Sequence, residues 1–231
     1  MKVWDVFPYW REQWALDARR RLWATLAPEA DYVPVALVGD RTFRGDPLPV
    51  PAELGIETVP VVLDAPDTWA REKQQRDAVW LLRERMADGD LVLIVDADEL
   101  VDPRSLAAIA SATEAGPVKL RLAMYCCGLR WRHHTPWRHA TACRARDLVE
   151  HPSDRLRSNL SFPKVDDAGW HLTYYGTDVD VDAKLSAFSH AEVDTPEMRR
   201  SLAELRDTGS QGFVDDPLTG PLADILTGVT A

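Results

Sequence analysis

The residues with the clearest chemical capacity are four acids within seven positions, Asp96, Asp98, Glu99 and Asp102, which follow the run Leu91-Val92-Leu93-Ile94-Val95 directly. That apolar, β-branched run reads as a strand buried on both faces. Side chains at i and i+2 of an extended segment share a side, so Asp96 and Asp98 are expected to face one cation while Ala97 points into the fold. Close carboxylates repel by about 1 kcal/mol per exposed pair, and by more where solvent is thin. A divalent ion relieves that repulsion. Oxygen-only ligands favour Mg²⁺ or Mn²⁺, which keep sites for water and for diphosphate oxygens. Asp102, followed by Pro103, carries the signature of a helix N-cap.

The elements that must position these acids alternate along the chain. Val3 to Phe7 reads as a strand stopped by Pro8, and Glu12 to Leu26 as a helix with Trp14, Leu16, Ala18, Leu22, Trp23 and Leu26 at helical spacing. Tyr32 to Val38 and Thr58 to Leu63 read as strands, and Asp67 to Met86 as a long helix stopped at Asp88-Gly89-Asp90. A helix from Asp102 to about Ala112 follows. This alternation predicts a single α/β domain with a mostly parallel central sheet flanked by helices. Ligands of such sheets bind at the carboxyl ends of the strands, where Asp96 and Asp98 stand. After Pro117 shorter strands are expected at 118–127, 129–133 and 139–145, then helices at 179–189 and 196–206. Residues 207–231 read as a weakly ordered tail.

Composition bounds the function. The 231 residues are 45% hydrophobic, enough for a sizeable core. The longest apolar run, Leu122 to Cys127, is far short of the roughly 20 residues that span a bilayer, so no transmembrane helix is expected. The opening residues lack the apolar stretch of a secretory leader, which points to a cytoplasmic protein or a chain trimmed of its leader. Cys126, Cys127 and Cys143 have no zinc-ligand spacing and read as core thiols. Nine tryptophans stand where an average chain carries roughly three, and flat apolar rings suit sugars and nucleobases. A net charge of −10 argues against nucleic acid as a partner. Yet Lys119 to Lys164 holds ten Lys/Arg against three acids, a segment suited to a small anion such as a phosphate ester.

Two enzyme classes place D-x-D after an apolar strand. In aspartyl-phosphate phosphatases and phosphotransferases the first Asp is the nucleophile. In nucleotide-sugar glycosyltransferases the pair holds the metal that bridges the donor diphosphate. The 95 residues of strand and helix ahead of Asp96, and the Glu99-Leu100 after Asp98, favour the second. A non-catalytic glycan-binding protein of the same fold is the further alternative.

Phe7-Pro8-Tyr9 with Glu12, Thr42 to Pro47, Arg71-Glu72 with Gln75 to Ala78, Asp96 to Glu99, Asp167 to Gly176, and Lys184 to Glu192 stand in the order of motifs in glycosyltransferase family 17, which the chain resembles from about residue 4 to 195. That family is the one of β-1,4-mannosyl-glycoprotein N-acetylglucosaminyltransferase. The resemblance implies a GT-A-like domain over residues 1–206, with a nucleotide-binding half at 1–115 and an acceptor and metal half at 116–206. It also implies a UDP-sugar donor, UDP-N-acetylglucosamine foremost, Mn²⁺ or Mg²⁺, a glycan acceptor and inversion at the anomeric carbon. Within it, Asp96, Asp98 and His190 are the expected metal ligands. Asp5, Arg71, Arg76, Asp96 and Trp170 are expected at the donor, with Asp5 on the uracil or ribose and Trp170 as a sugar platform. Asp167 is the first candidate for the base and Glu192 the second; His171 is expected as a further catalytic group on the metal or diphosphate. Arg11-Glu12 replaces the family's Asn-Glu, and the membrane anchor of the Golgi members is absent. A lipid-linked or other bacterial-type glycan is therefore an equal candidate acceptor, with peripheral membrane contact in the lipid-linked case.

Overall fold

The strand containing Asp5 runs further than its proline suggests. In the computed structural model, which describes residues 1–49, 51, 53–187, 189, 192, 194–210 and 212–229, β1 spans Lys2–Tyr9. It lies between two parallel neighbours, β2 (Asp31–Gly39) and β4 (Leu91–Ile94), but β4 pairs only as far as Val6. The Val95 N–H donates to the Val6 carbonyl, so the Pro8 nitrogen, two residues on, faces the same side where β4 has turned away. A missing N–H therefore costs no ladder bond there.

Among the described residues one sheet runs β10-β7-β6-β8-β4-β1-β2-β3, with β9 beside β6 and β5 beside β9. The further strands are β3 (Glu57–Val61), β5 (Glu99–Val101), β6 (Val118–Cys126), β7 (Trp131–His133), β8 (Thr141–Arg144), β9 (Lys164–Thr173) and β10 (Phe213–Asp215). The longest pairings, β1 with β2 and β6 with β9, are parallel, whereas β8, β7, β5 and β10 run antiparallel to their neighbours. This is the α/β fold expected. Leu91, Leu93 and Val95 pack on one face with Leu16 and Trp23 of α1 (Gln13–Leu26) and Ile109 of α3 (Leu106–Ala112). Val92 and Ile94 pack on the other with Val79 and Leu82. The central strand is thus buried on both faces, as its composition predicts.

Three expectations change. The helix at 67–86 is capped by Asp67 and regular in α2 (Thr68–Asp77), then tightens into a 3₁₀ segment, Ala78–Arg85, that buries Ala78, Val79 and Leu82. β9 was not anticipated, because Asp166, Asp167 and Gly169 disfavour a strand. Its pairing with β6 shifts register between Leu120 and Leu122, and Asp167 takes φ +51 at that irregularity. The expected loose tail at 207–231 is not what the described residues form: β10 pairs with β7, and α6 (Pro221–Val229) buries Leu222 and Leu226 against Ala18 and Leu22 of α1. Both expected halves share the one sheet. No helix among the described residues is long and apolar enough to cross a membrane, and all three cysteines are buried free thiols.

Asp5, expected at the end of β1 beside a nucleotide, is instead fully buried in mid-strand. Its Oδ2 accepts from the Arg19 guanidinium and from the Tyr32 hydroxyl, each at 2.6 Å. Arg19, itself 1% exposed, also donates to the carbonyls of Asp96 (2.7 Å), Ala97 (3.0 Å) and Glu99 (2.7 Å). The first helix thereby fixes the turn that carries the acids.

Two substitutions test this framework. A Cβ on Gly169 would lie 2.1 Å from the Leu100 carbonyl oxygen at a φ of +145. Gly169→Ala is expected to cost about 3 kcal/mol or more in denaturant unfolding, against about 0.5 kcal/mol or less for Gly89→Ala, whose Cβ meets nothing within 4 Å. Arg19→Met strands a buried carboxylate and should cost about 3–5 kcal/mol. Asp5→Asn in the same chain should restore only part of that, since three carbonyls still lack their donor.

Candidate active site

Asp96 to Glu99 is not extended. The Glu99 N–H donates to the Asp96 carbonyl (3.0 Å) and the Asp96 N–H to Glu99 Oε2 (2.8 Å), closing a turn at the end of β4. The two carboxylates consequently meet separate partners. Asp96 accepts a two-pronged contact from Arg76 of α2 (2.9 and 3.0 Å) and a third from Arg157 (2.5 Å), which ends the short helical turn Ser153–Arg157. Asp98 accepts from Lys184 Nζ at 2.6 Å, on α4 (Asp178–Ala187), and lies 3.5 Å from His171 Nε2. Burial alone would raise both pKa values. Arg157 and Arg76 outweigh it at Asp96, lowering that carboxyl to about 2, and Lys184 and His171 hold Asp98 well below the usual carboxylate range.

Beneath the turn a second layer holds these donors. Glu99, 0% exposed, accepts from the Trp137 indole N–H (2.5 Å) and from Arg157 (2.7 Å). Lys119, also fully buried, donates to Thr141 Oγ1 (2.7 Å) and to the carbonyls of His139, Leu156 and Arg157. Its Nζ thus fixes the backbone that aims Arg157, while burial and the Arg157 charge push its pKa down to about 7.

The turn opens into a cavity of about 640 Å³, walled by Arg41, Lys73, Arg76, Arg157 and Lys184 against Glu12, Glu72, Asp96 and Asp98. Five cations against four carboxylates make this a locally positive hollow in a protein of net charge −10. Its aromatic surface comes from Tyr9, Trp10, Phe43, Trp69, Trp137 and Tyr174. The Trp137 ring lies tilted on His171 at 4.4 Å and on His139 at 4.7 Å. Two buried ring nitrogens in this wall, Trp10 Nε1 and His171 Nδ1, have no hydrogen-bond partner among the described residues.

Of the residues expected here, Arg76, Asp96, Asp98 and His171 come together. Trp170 does not: adjacent strand residues face opposite sides, and with His171 on the cavity Trp170 packs against Leu100 and Leu222 in the core. Gly169 beside it admits the β5 backbone rather than a ligand. Arg71 donates to the Phe43 carbonyl (2.9 Å), holding the 42–47 loop from outside the cavity. Asp167 and Glu192 are exposed and do not line it, and Asp5 belongs to the Arg19 anchor. His190 lies outside the described residues. Sequence reasoning missed Arg157, Lys184, Lys119 and Trp137. The basic segment 119–164 was the available signal for Arg157, although Arg130, Arg132, Arg144 and Arg146 pair with Asp215, Asp216 and Glu114 instead.

The expected divalent ion does not match this donor set. Among the described residues no three His, Cys, Asp or Glu side chains converge as ligands. Arg76 and Arg157 occupy both oxygens of Asp96, and Lys184 and His171 face those of Asp98. Asp96 is equally unsuited to be a phosphatase nucleophile, since its lone pairs are committed to two guanidinium groups.

Comparison with known proteins adds the family. No curated protein sequence matches the chain. Among solved structures, a protein named as a nucleotide-diphospho-sugar transferase of Desulfovibrio desulfuricans G20 aligns at 10% identity and TM-score 0.40, over 89% of this chain and 96% of that one. An active-site mutant of LgtC aligns at 10% identity and TM-score 0.38, over 99% and 96%. The 2-C-methyl-D-erythritol 4-phosphate cytidylyltransferase of Francisella tularensis aligns at 8% identity and TM-score 0.35, over 81% and 100%. The family model of glycosyltransferase family 17 matches residues 55–205, which include α2, the acidic turn, Arg157, His171 and Lys184. The chain belongs to glycosyltransferase family 17.

Proposed function

We propose that this glycosyltransferase moves a sugar from a UDP-sugar to a hydroxyl of a glycan acceptor, with the donor diphosphate on Arg76, Arg157 and Lys184. The observation that carries the reading is the convergence of those three cations, from three separate elements, in one aromatic-walled cavity. A departing diphosphate needs positive charge where its own charge develops. Guanidinium forks match phosphate oxygens in pairs, and an ammonium supplies a compact point charge. In the structure Asp96 and Asp98 hold these donors, so a diphosphate would enter by taking over contacts already aimed. The Trp10 ring in the cavity wall is a surface on which a nucleobase or sugar ring can stack.

N-acetylglucosamine as the transferred sugar and inversion at its anomeric carbon come from the family resemblance, which also implies Mn²⁺ or Mg²⁺, an ion that the side chains around Asp96 and Asp98 do not fit. A lipid-linked or other bacterial-type glycan remains a candidate acceptor alongside protein-bound glycans. No step here is routed through an ion, because entry of one requires Lys184 to leave Asp98.

Nucleotide-induced stabilisation tests the reading. UDP at about 100 times its dissociation constant should stabilise the protein by about 2.7 kcal/mol, read as a rise in Tm. Arg76→Met and Arg157→Met should each abolish the rise. Running the series with Mn²⁺, Mg²⁺ and EDTA shows whether an ion takes part; a rise that survives EDTA is the expected result. Absence of any rise with UDP, GDP or CDP would sink the proposal.

A further inference from the structure

Three of the four carboxylates that line the cavity are committed to cations. Asp96 is held by Arg76 and Arg157, Asp98 by Lys184, and Glu72 by Arg76 and the Ser189 hydroxyl. Glu12 is different. It stands at the N-cap of α1 with its side chain 17% exposed. Its Oε2 accepts the backbone N–H groups of Trp10 and Arg11, both at 3.2 Å, which fixes the direction of the carboxyl. Its Oε1 accepts no hydrogen bond among the described residues, the Lys184 ammonium being 3.9 Å away and beyond hydrogen-bond reach. The same ammonium touches Asp98 at 2.6 Å, so Glu12 and the acidic turn flank one side chain. Glu12 thus offers an oriented oxygen with uncommitted lone pairs beside the proposed diphosphate site.

We propose that Glu12 is the general base of this site. The assignment rests on the glycosyl transfer proposed above. Glu12 Oε1 takes the proton of the attacking hydroxyl, from an acceptor sugar or from water, as that oxygen bonds to the anomeric carbon. The bond from that carbon to the diphosphate oxygen breaks, and its electron pair leaves with the diphosphate. The proton passes from Glu12 to solvent when the products depart, so no further reactant is needed. His139 and His171 also line the cavity; His171 is already turned by Nε2 toward Asp98, and burial, Arg157 and Lys119 oppose a positive charge on His139. A carboxylate becomes neutral instead.

Hydrolysis of UDP-N-acetylglucosamine by the full chain, followed as UDP release without acceptor, separates the possibilities. Glu12→Gln should lower kcat by about 10²- to 10⁴-fold, with KM within about threefold of wild type and the UDP-induced rise in Tm retained. Glu12→Asp should keep part of the rate, and formate should restore part of it to Glu12→Ala. A Glu12→Gln rate within about threefold of wild type overturns the assignment. So does a raised KM with the Tm response lost at unchanged kcat, which would make Glu12 a donor-binding residue. Loss of turnover in His139→Phe but not in Glu12→Gln would move the role to His139. If the wild type releases no nucleoside diphosphate from UDP-, GDP- or CDP-linked sugars, the glycosyl-transfer reading itself fails, and the assignment with it.

Discussion

A single buried guanidinium sets the terms for the site. Arg19 projects from the first helix into the sheet, neutralises Asp5 through Nη1 and aims Nη2 at three carbonyls of the Asp96–Glu99 turn. Withdrawing both charges from water costs several kcal/mol per ion, which their mutual attraction, the Tyr32 hydroxyl and the three carbonyls offset. The turn is therefore held by its backbone, and its carboxylates stay available for the cavity. The sharp bend after β4 also separates Asp96 from Asp98, sending one toward α2 and the other toward α4.

Repulsion among the acids does call for positive charge, and the chain supplies it covalently. Arg76, Arg157 and Lys184 arrive from positions far apart in sequence and meet at one turn. Such a network stabilises only when complete, which explains the second layer of Glu99, Trp137 and Lys119 beneath it. It also shapes how an anion would bind. Under the proposed reading, a diphosphate would meet donors that Asp96 and Asp98 already aim into the cavity.

What could be read from the sequence follows from what is local. Leu91 to Val95 announces a doubly buried strand, and Asp96 and Asp98 stand at its end because strand and motif are contiguous. Of their partners, Arg76 and His171 are expected from the motifs, whereas Arg157 and Lys184 are not legible, since nothing in the spacing of residues 96, 157 and 184 brings them together. Trp170 was misplaced by one residue of strand alternation: its neighbour His171 takes the cavity face. β9 was missed because its middle is occupied by residues that make an irregularity possible and a regular strand unfavourable. Asp5 looked available because its partner Arg19 lies fourteen residues away on a helix whose inward face only the fold reveals.

The packing of α6 on α1 has a bearing on how the molecule is made. Leu222 and Leu226 cover the flank of the helix that carries Arg19, about two hundred residues earlier in the chain. Contacts of such long sequence separation close late, because the loop-closure entropy must be met before they are rewarded. During synthesis, the first helix and its buried arginine would wait with an apolar flank uncovered while the acidic turn, the guanidinium donors and the lysine helix emerge one by one. Assembly of the cavity is then coupled to the arrival of a short amphipathic segment that contributes no atom to it, and a nascent chain lacking that segment carries every cavity residue named here over an incompletely covered core.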